Sequence, residues 1–185
     1  MSVLIEARSL TKHFRIGKNK TVHAVDDVSL HVEKKEILGL VGESGSGKST
    51  FGKTLVGLHE KTSGDVIYKG ETLPRKYKPR DFQRFATSMQ MIFQDPYSSL
   101  NPRMTVGEIV GEGLRLHSQL TAEKIRESVA QWLIKVGLLP DHMSRYPHEF
   151  SGGQRQRIGV ARALIMEPEF VVCDEPISAL DVSVQ

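Results

Sequence analysis

The chain has 185 residues, of which 39% are hydrophobic and 25% charged, a composition typical of a folded globular protein and not of a disordered segment. The net charge of +3 is only mildly basic, so it does not by itself indicate a nucleic-acid partner. A single cysteine excludes an internal disulfide, and no apolar run approaches the roughly 20 residues of a membrane span, so we expect any membrane association to be peripheral.

Two strand-like segments, Val3–Phe14 and Val22–Val32, begin the chain. They are separated by a polar turn, which predicts an antiparallel pair. Phe14 ends the first segment. An aromatic ring at this position can stack on a nucleobase, but an aromatic at a strand end is more often part of the core, and the spacing leaves both alternatives open.

The segment 42–50 reads GESGSGKST and fits the phosphate-binding pattern G-x-x-x-x-G-K-[ST] at each fixed position. The apolar run Glu36–Val41 predicts a buried parallel strand before it, and Ser49–Leu58 predicts a helix after it. Glycines let the backbone approach phosphates, Lys48 carries a full positive charge, and the Ser49 hydroxyl suits Mg²⁺. The residues expected to bind nucleotide here are Gly42, Ser44, Gly45, Gly47, Lys48, Ser49 and Thr50.

A short strand is predicted at Asp65–Tyr68, and Lys69-Gly70 predicts a turn after it. The basic run Arg75–Arg80 then contains one tyrosine. Such a run can bind nucleic acid, but a run this short is more typical of solvated surface. The apolar run Met89–Phe93 predicts another strand, and it places Gln94 at a strand end, a position typical of site residues.

Residues 96–150 are predicted to be mainly helical and to form an insertion in an α/β core. Thr121 is the expected N-cap of a helix that continues to about Val136. The apolar stripe of this helix contains Trp132 at helical spacing, which predicts core packing for this ring and not a ligand platform.

The segment 151–154, SGGQ, begins a helix predicted to continue to about Met166. A serine N-cap followed by glycines makes an anion-binding helix start, although the same residues are also an ordinary way to begin a helix. The next strand, Phe170–Cys173, leads directly into Asp174 and Glu175. With a phosphate-binding loop upstream, this pair offers Asp174 to Mg²⁺ and Glu175 to an attacking water, while Cys173 is expected to be a small buried residue.

This combination of motifs resembles the ATP-binding cassette (ABC) ATPases. GESGSGKST resembles the Walker A motif of that family, Gln94 its Q-loop glutamine, SGGQ its signature sequence, VVCDEP its Walker B motif with the following glutamate, and 178–181 its D-loop. The run MQMIFQDPYSSLNPRMTVGEIV resembles one subgroup, the ATPase subunits of oligopeptide and dipeptide importers, which also includes nickel and glutathione systems.

The resemblance implies an α/β fold, with a P-loop NTPase (RecA-like) core, an N-terminal antiparallel β subdomain and an inserted α-helical subdomain, incomplete at the C-terminus. The implied division is 1–95 for the core with the β subdomain and Walker A, 96–150 for the helical subdomain, and 151–185 for the signature helix, Walker B and D-loop. No histidine follows Glu175 to serve as the family's switch histidine. We therefore expect a truncated cassette that hydrolyses ATP weakly or not at all on its own.

The implied function is ATP binding and hydrolysis that powers peptide uptake, with ATP and Mg²⁺ as cofactors. Two cassettes would pair head to tail, so that each ATP lies between the P-loop of one and the signature of the other. The catalytic residues implied are Glu175, Gln94 and Lys48. The metal residues implied are Ser49, Gln94 and Asp174. Beside the P-loop residues, the nucleotide contacts implied are Phe14, Ser151, Gly152, Gly153, Gln154 and Asp181.

The implied partners are a second ABC ATPase subunit, integral membrane permease subunits and, indirectly, an extracytoplasmic substrate-binding protein, with no nucleic acid. The implied location is the cytoplasmic face of the membrane. Two alternatives stay open: a nucleotide-binding module that does not hydrolyse ATP, and a cassette ATPase acting on nucleic acid or ribosomes. The transported substrate is open among peptide, nickel and glutathione, as is the choice between a homodimer and a heterodimer.

Overall fold

A computed structural model of the chain describes residues 2–17, 20–95 and 99–174. The chain forms two compact units that divide between Arg84 and Phe85. Among the described residues, no helix combines the length and the apolar composition that crossing a bilayer would require.

The first unit is built on a four-stranded antiparallel sheet in the order β2-β1-β3-β4. Its strands are β1 (Val3–Ile16), β2 (Lys20–Glu33), β3 (Ser63–Tyr68) and β4 (Glu71–Thr72). The antiparallel pairing of β1 with β2 confirms the pair predicted from the sequence, and each strand is slightly longer than predicted. Ile5 and Leu10 of β1 are fully buried and anchor this unit's core.

A tight turn joins β3 to β4, as the sequence Lys69-Gly70 predicts. Both residues have positive φ angles, 52° for Lys69 and 83° for Gly70, which is the backbone of a hairpin turn whose twist matches its strands. The same unit contains helix α1 (Lys48–Leu55), which buries Phe51 and Leu55, and all but the last residue of helix α2 (Pro79–Phe85).

The strand predicted for Glu36–Val41 is wrong. This segment has no regular secondary structure, and the side chains of Ile37 and Val41 are 99% and 95% exposed. A parallel strand is stable only where neighbouring strands bond to its backbone, and no strand of the described residues pairs with this segment. Apolar composition therefore showed that the segment was suited to a sheet. It could not show whether a neighbouring strand is present to bond to the segment's backbone.

The second unit contains a parallel pair of short strands, β5 (Met89–Ile92) and β6 (Phe170–Cys173). Its helices are α3 (Val106–His117), α4 (Ala122–Lys135) and α5 (Gly152–Leu164), with 3-10 turns at Pro140–Ser144 and Pro147–Glu149. Side chains from all three α-helices share one apolar core, in which Val106, Leu133 and Ile158 are completely buried. This packing explains why α3, α4 and α5 are stable although none is long.

The helix starts in this unit follow the predicted capping chemistry. Thr121 caps α4 by accepting a hydrogen bond from the Lys124 amide, as predicted. Thr105 and Glu108 form a reciprocal capping box at the start of α3. Trp132 is partly buried against the shared core, which confirms its predicted packing role.

Cys173 is exposed, so the prediction that it is buried was wrong. It ends β6, and within the described residues that strand has one paired neighbour, β5. Strand side chains project from the faces of the sheet, so exposure of Cys173 depends on what packs over its face, which composition alone does not reveal.

Candidate functional site

The segment 42–50 forms an exposed loop that leads into α1. The Lys48 ammonium donates hydrogen bonds to the carbonyl oxygens of Gly42 and Glu43, both at 2.8 Å. The lysine at the end of the loop is thus bonded to the residues at its start. The loop thus holds the positively charged ammonium group against its own backbone, and such a charge attracts a polyphosphate.

The N-terminus of α1 begins at Gly47, which has a left-handed backbone with φ of 96° and no side chain to cap the helix. No acidic residue lies in the first turn of α1. The partial positive charge of this helix end is therefore not offset by a local carboxylate, which favours an anion there. Lys48, Ser49 and Thr50, all half-buried, occupy that first turn.

Gly47 can be no other residue in this backbone. A Cβ atom at Gly47 would lie 1.9 Å from the carbonyl oxygen of Ala24, in addition to the strain of its positive φ. Gly45 also has a positive φ, 81°, but a Cβ there would meet nothing within 4 Å. A side chain at either glycine would therefore strain the backbone, but only a side chain at Gly47 would also clash with Ala24.

We expect Gly47→Ala to lower the free energy of unfolding by about 3 kcal/mol or more, because left-handed strain costs about 1–2 kcal/mol and overpacking a further 1–3 kcal/mol. Gly45→Ala is the matched control and should cost only the strain. Urea unfolding of both variants and the wild type measures the difference. Equal destabilisation by the two substitutions would contradict the clash with Ala24.

A second group of predicted site residues lies in the second unit, at the carboxyl end of the parallel strands. Ile92 of β5 pairs with Cys173 of β6, so Gln94 and Asp174 follow the two strands at the same edge. The Asp174 amide donates to the Ile92 carbonyl at 2.9 Å, and Asp174 is 9% exposed while Gln94 is exposed. A buried carboxylate and an amide at one sheet edge are oxygen ligands of the kind Mg²⁺ prefers.

Ser151 begins α5 with a reciprocal capping box. Its hydroxyl accepts from the Gln154 amide at 3.3 Å, and the Gln154 side-chain oxygen accepts from the Ser151 amide at 3.0 Å. Gly152 and Gly153 lie between them, half-buried, and no acidic residue occupies the first turn. The segment SGGQ is therefore a helix start as predicted, with the polarity that suits an anion.

Phe14 lies near the end of β1 and is half-buried. Its ring makes an edge-to-face contact with His59 at 5.4 Å between centroids, and the Lys12 ammonium lies 4.6 Å from the ring centre. Burial beside Lys12 and Lys53 lowers the pKa of His59. The ring is only half-buried, so it could still stack on a base. Base stacking by Phe14 stays a prediction.

The structure brings together the loop residues around Lys48 in one unit, and Gln94 with Asp174 in the other. Glu175 and Asp181, predicted for catalysis and for a nucleotide contact, lie outside the described residues. The structure also assembles a group that sequence reasoning missed: His13, His23 and Asp26. Their separation in the sequence follows no ligand motif, and only the register of β1 against β2 reveals that they meet.

Comparisons with known proteins agree with these features. The family model described as "ABC transporter" matches residues 25–178. The chain is 54% identical over 183 residues to the oligopeptide transport ATP-binding protein OppF of Bacillus subtilis (strain 168), which covers 98% of this chain and 60% of that protein. It is 52% identical to OppF of Escherichia coli (strain K12), covering 99% of this chain and 57% of that protein. The chain thus spans about 60% of the length of these curated relatives.

Among solved structures, the chain resembles the dimeric post-hydrolysis state of the ATP-binding cassette MJ0796 bound to ADP and Pi. The TM-score is 0.91 at 26% identity, over 98% of this chain and 78% of that one. It also resembles cbiO1 of Clostridium perfringens, with a TM-score of 0.77 over the whole chain, although at 24% identity that likeness shows the fold alone. Both likenesses agree with an α/β cassette fold that carries an antiparallel sheet and helical parts.

Proposed function

Because the chain belongs to the ABC transporter ATPase family, we propose that it is the ATP-binding and ATP-hydrolysing subunit of an importer that takes up peptides. The observation that carries the proposal is the loop 42–50, where Lys48 is held against the loop carbonyls at the uncapped start of α1. The names of its relatives, which are oligopeptide transport ATP-binding proteins, support peptide as the cargo.

The nucleotide chemistry follows from the residues of the chain. Backbone N–H groups at the start of α1 and the Lys48 ammonium would bind the β- and γ-phosphates of ATP. The Ser49 hydroxyl, the Gln94 amide oxygen and the Asp174 carboxylate are each a hard oxygen donor of the kind that Mg²⁺ prefers. When bound, Mg²⁺ would neutralise phosphate charge. Glu175 would orient the attacking water and accept its proton.

The signature segment would act on a second subunit's nucleotide. The start of α5 presents Ser151 and two glycines, so the polar helix end can approach a phosphate closely. In a head-to-tail pair, Ser151 and Gly153 would complete the partner's site. Hydrolysis would then separate the pair and switch a permease, with the cassette at the cytoplasmic face of the membrane.

We expect Ser151→Ala to reduce ATP-dependent dimer formation about tenfold, because it removes one hydrogen bond to a charged phosphate, worth about 1.5–3 kcal/mol. It should also cost about 1 kcal/mol of folding stability, because the helix cap is lost. Thr105→Ala is the matched control, since it removes the capping box of α3 alone. Analytical ultracentrifugation with ATP measures the dimer; equal dimerisation by wild type and Ser151→Ala would contradict the role of Ser151.

The transport function is tested by recovering partners from native membranes. A tagged form of the protein is incubated with detergent-solubilised membranes, and the bound proteins are identified by mass spectrometry. Recovery of a polytopic permease is the expected result. Recovery of nucleic acid or ribosomal proteins without a permease would contradict transport and favour the rival class of cassette ATPases.

A further inference from the structure

The β1–β2 ladder brings two histidines face to face. His13 pairs directly with His23 across the two strands, and their rings lie 3.8 Å apart between centroids, tilted by 35°. Asp26 reaches both rings with one carboxylate, since its Oδ1 lies 3.2 Å from His13 Nε2 and its Oδ2 lies 3.6 Å from His23 Nδ1. One ligand atom from each of the three residues thus lies within 4.8 Å of the other two.

A bulge in β2 creates this arrangement. Residues three apart on a regular strand point to opposite faces, so His23 and Asp26 would ordinarily be separated by the sheet. The register shifts between Lys12, which pairs with Val25, and His13, which pairs with His23, so Ala24 has no partner in the ladder. The extra residue returns Asp26 to the face that carries both histidines, as bulges do where a side chain must be re-aimed.

The cluster has the chemistry and nearly the dimensions of a three-ligand zinc site. Zinc takes imidazole nitrogen and carboxylate oxygen at about 2.0–2.2 Å in a tetrahedron, which requires ligand atoms about 3.3–3.5 Å apart. Each histidine lies close to this distance from one oxygen of Asp26, His13 at 3.2 Å from Oδ1 and His23 at 3.6 Å from Oδ2, so a modest rotation of the carboxylate would present one oxygen to both. His23 and Asp26 have side chains that are 57% and 65% exposed, so small rotations can complete the geometry, whereas His13 is 22% exposed and fixes it.

The surroundings leave the fourth position open to solvent. His13 and His23 line a cavity of about 680 Å³ whose charged walls are Lys12, Arg15, Lys61, Arg75 and Glu60. Three of these four cationic side chains have contacts of their own. Lys12 lies over the Phe14 ring, and Arg75 forms an ion pair with Glu60. Lys61 donates a hydrogen bond to the Leu73 carbonyl and forms an ion pair with Asp65. A basic wall opposes a bare dication but favours one that carries an anionic fourth ligand.

We propose that His13, His23 and Asp26 bind a first-row transition-metal dication of the zinc type, with water or a small anion as the fourth ligand. Two imidazoles select such an ion over Mg²⁺ and Ca²⁺, which prefer oxygen ligands. The site is built within the β1–β2 pair. It is therefore distinct from the Mg²⁺ expected with the nucleotide, and it does not depend on the proposed transport function.

The test is isothermal titration calorimetry of Zn²⁺ into the protein without nucleotide, with Mg²⁺ as the control cation. We expect one Zn²⁺ per chain, at least tenfold weaker binding for His23→Gln and for Asp26→Asn, and no displacement by Mg²⁺. His31→Gln is the matched control, because His31 is exposed on the same strand and outside the cluster. Its Zn²⁺ affinity should equal that of the wild type.

Absence of Zn²⁺ binding by the wild type would overturn the proposal, as would unchanged affinity in His23→Gln or an equal loss in His31→Gln. Circular dichroism and thermal unfolding without Zn²⁺ establish that each variant is folded. If His23→Gln does not fold, the comparison of Asp26→Asn with His31→Gln decides the question. Because ATP binding is measured separately, loss of the nucleotide site leaves the Zn²⁺ result interpretable.

Discussion

Lys48→Ala is expected to weaken ATP binding about 10- to 100-fold. The ammonium would donate charge-assisted hydrogen bonds to phosphate oxygens, which contribute about 1.5–3 kcal/mol, and each 1.4 kcal/mol corresponds to a factor of ten. In the structure the same group donates to the carbonyls of Gly42 and Glu43, so its loss also removes a bond across the loop. Titration with a fluorescent ATP analogue measures the affinity.

Lys53→Ala is the control for Lys48→Ala. Lys53 lies in the last turn of α1, so the substitution removes the same charge from the same helix at the end away from the loop. Its ATP affinity should stay within about twofold of the wild type, because Lys53 lies beyond the first turn of α1, where its half-buried side chain would not contact the phosphates. If both variants lost affinity equally, the effect would reflect net charge or the stability of α1, and the specific role of Lys48 would be refuted.

The second large effect concerns ATP turnover by the proposed importer. We expect Glu175→Gln to lower the ATPase rate by about 10²–10⁴-fold and to leave ATP affinity nearly unchanged, because the amide cannot accept a proton from water while its size is conserved. Phosphate release measures the rate, and equilibrium binding of ATP measures the affinity. The separation of the two effects is what distinguishes a catalytic base from a binding residue.

Glu167→Gln is the matched control for Glu175→Gln. Glu167 is an exposed glutamate that precedes β6 in the sequence, whereas Glu175 follows that strand. Its turnover should equal that of the wild type. Equal turnover for Glu175→Gln and wild type would remove Glu175 as the base. A parallel loss of ATP affinity would instead assign Glu175 to binding.

Local sequence signals predicted most of the elements. The alternation of β1 and β2, the turn at Lys69-Gly70 and the N-caps Thr121 and Ser151 all appear where expected, because each depends on residues within a few positions of one another. Helix α4 ends within one residue of its predicted end at Val136. Hydrogen bonds and backbone preferences that act over one or two turns can be read directly from composition and spacing.

The failures share a different cause. Glu36–Val41 has the composition of a buried strand yet is exposed, and Cys173 is exposed at the end of β6. Both predictions assumed neighbouring strands, and strand neighbours come from distant parts of the chain. Burial in a sheet is therefore a property of the assembled partners and not of the segment that carries the apolar residues.

The sequence alone determined the glycine-rich loop 42–50, the helix starts and the order of the motifs, since a loop such as GESGSGKST requires particular residues at adjacent positions. Tertiary structure alone decided that Gln94 and Asp174 share one sheet edge and that Gly47 lies against the Ala24 carbonyl. It also decided that a bulge at Ala24 places Asp26 beside His13 and His23. The physical reason is that strand register is set by hydrogen bonds between segments, and a shift of one residue changes which side chains meet.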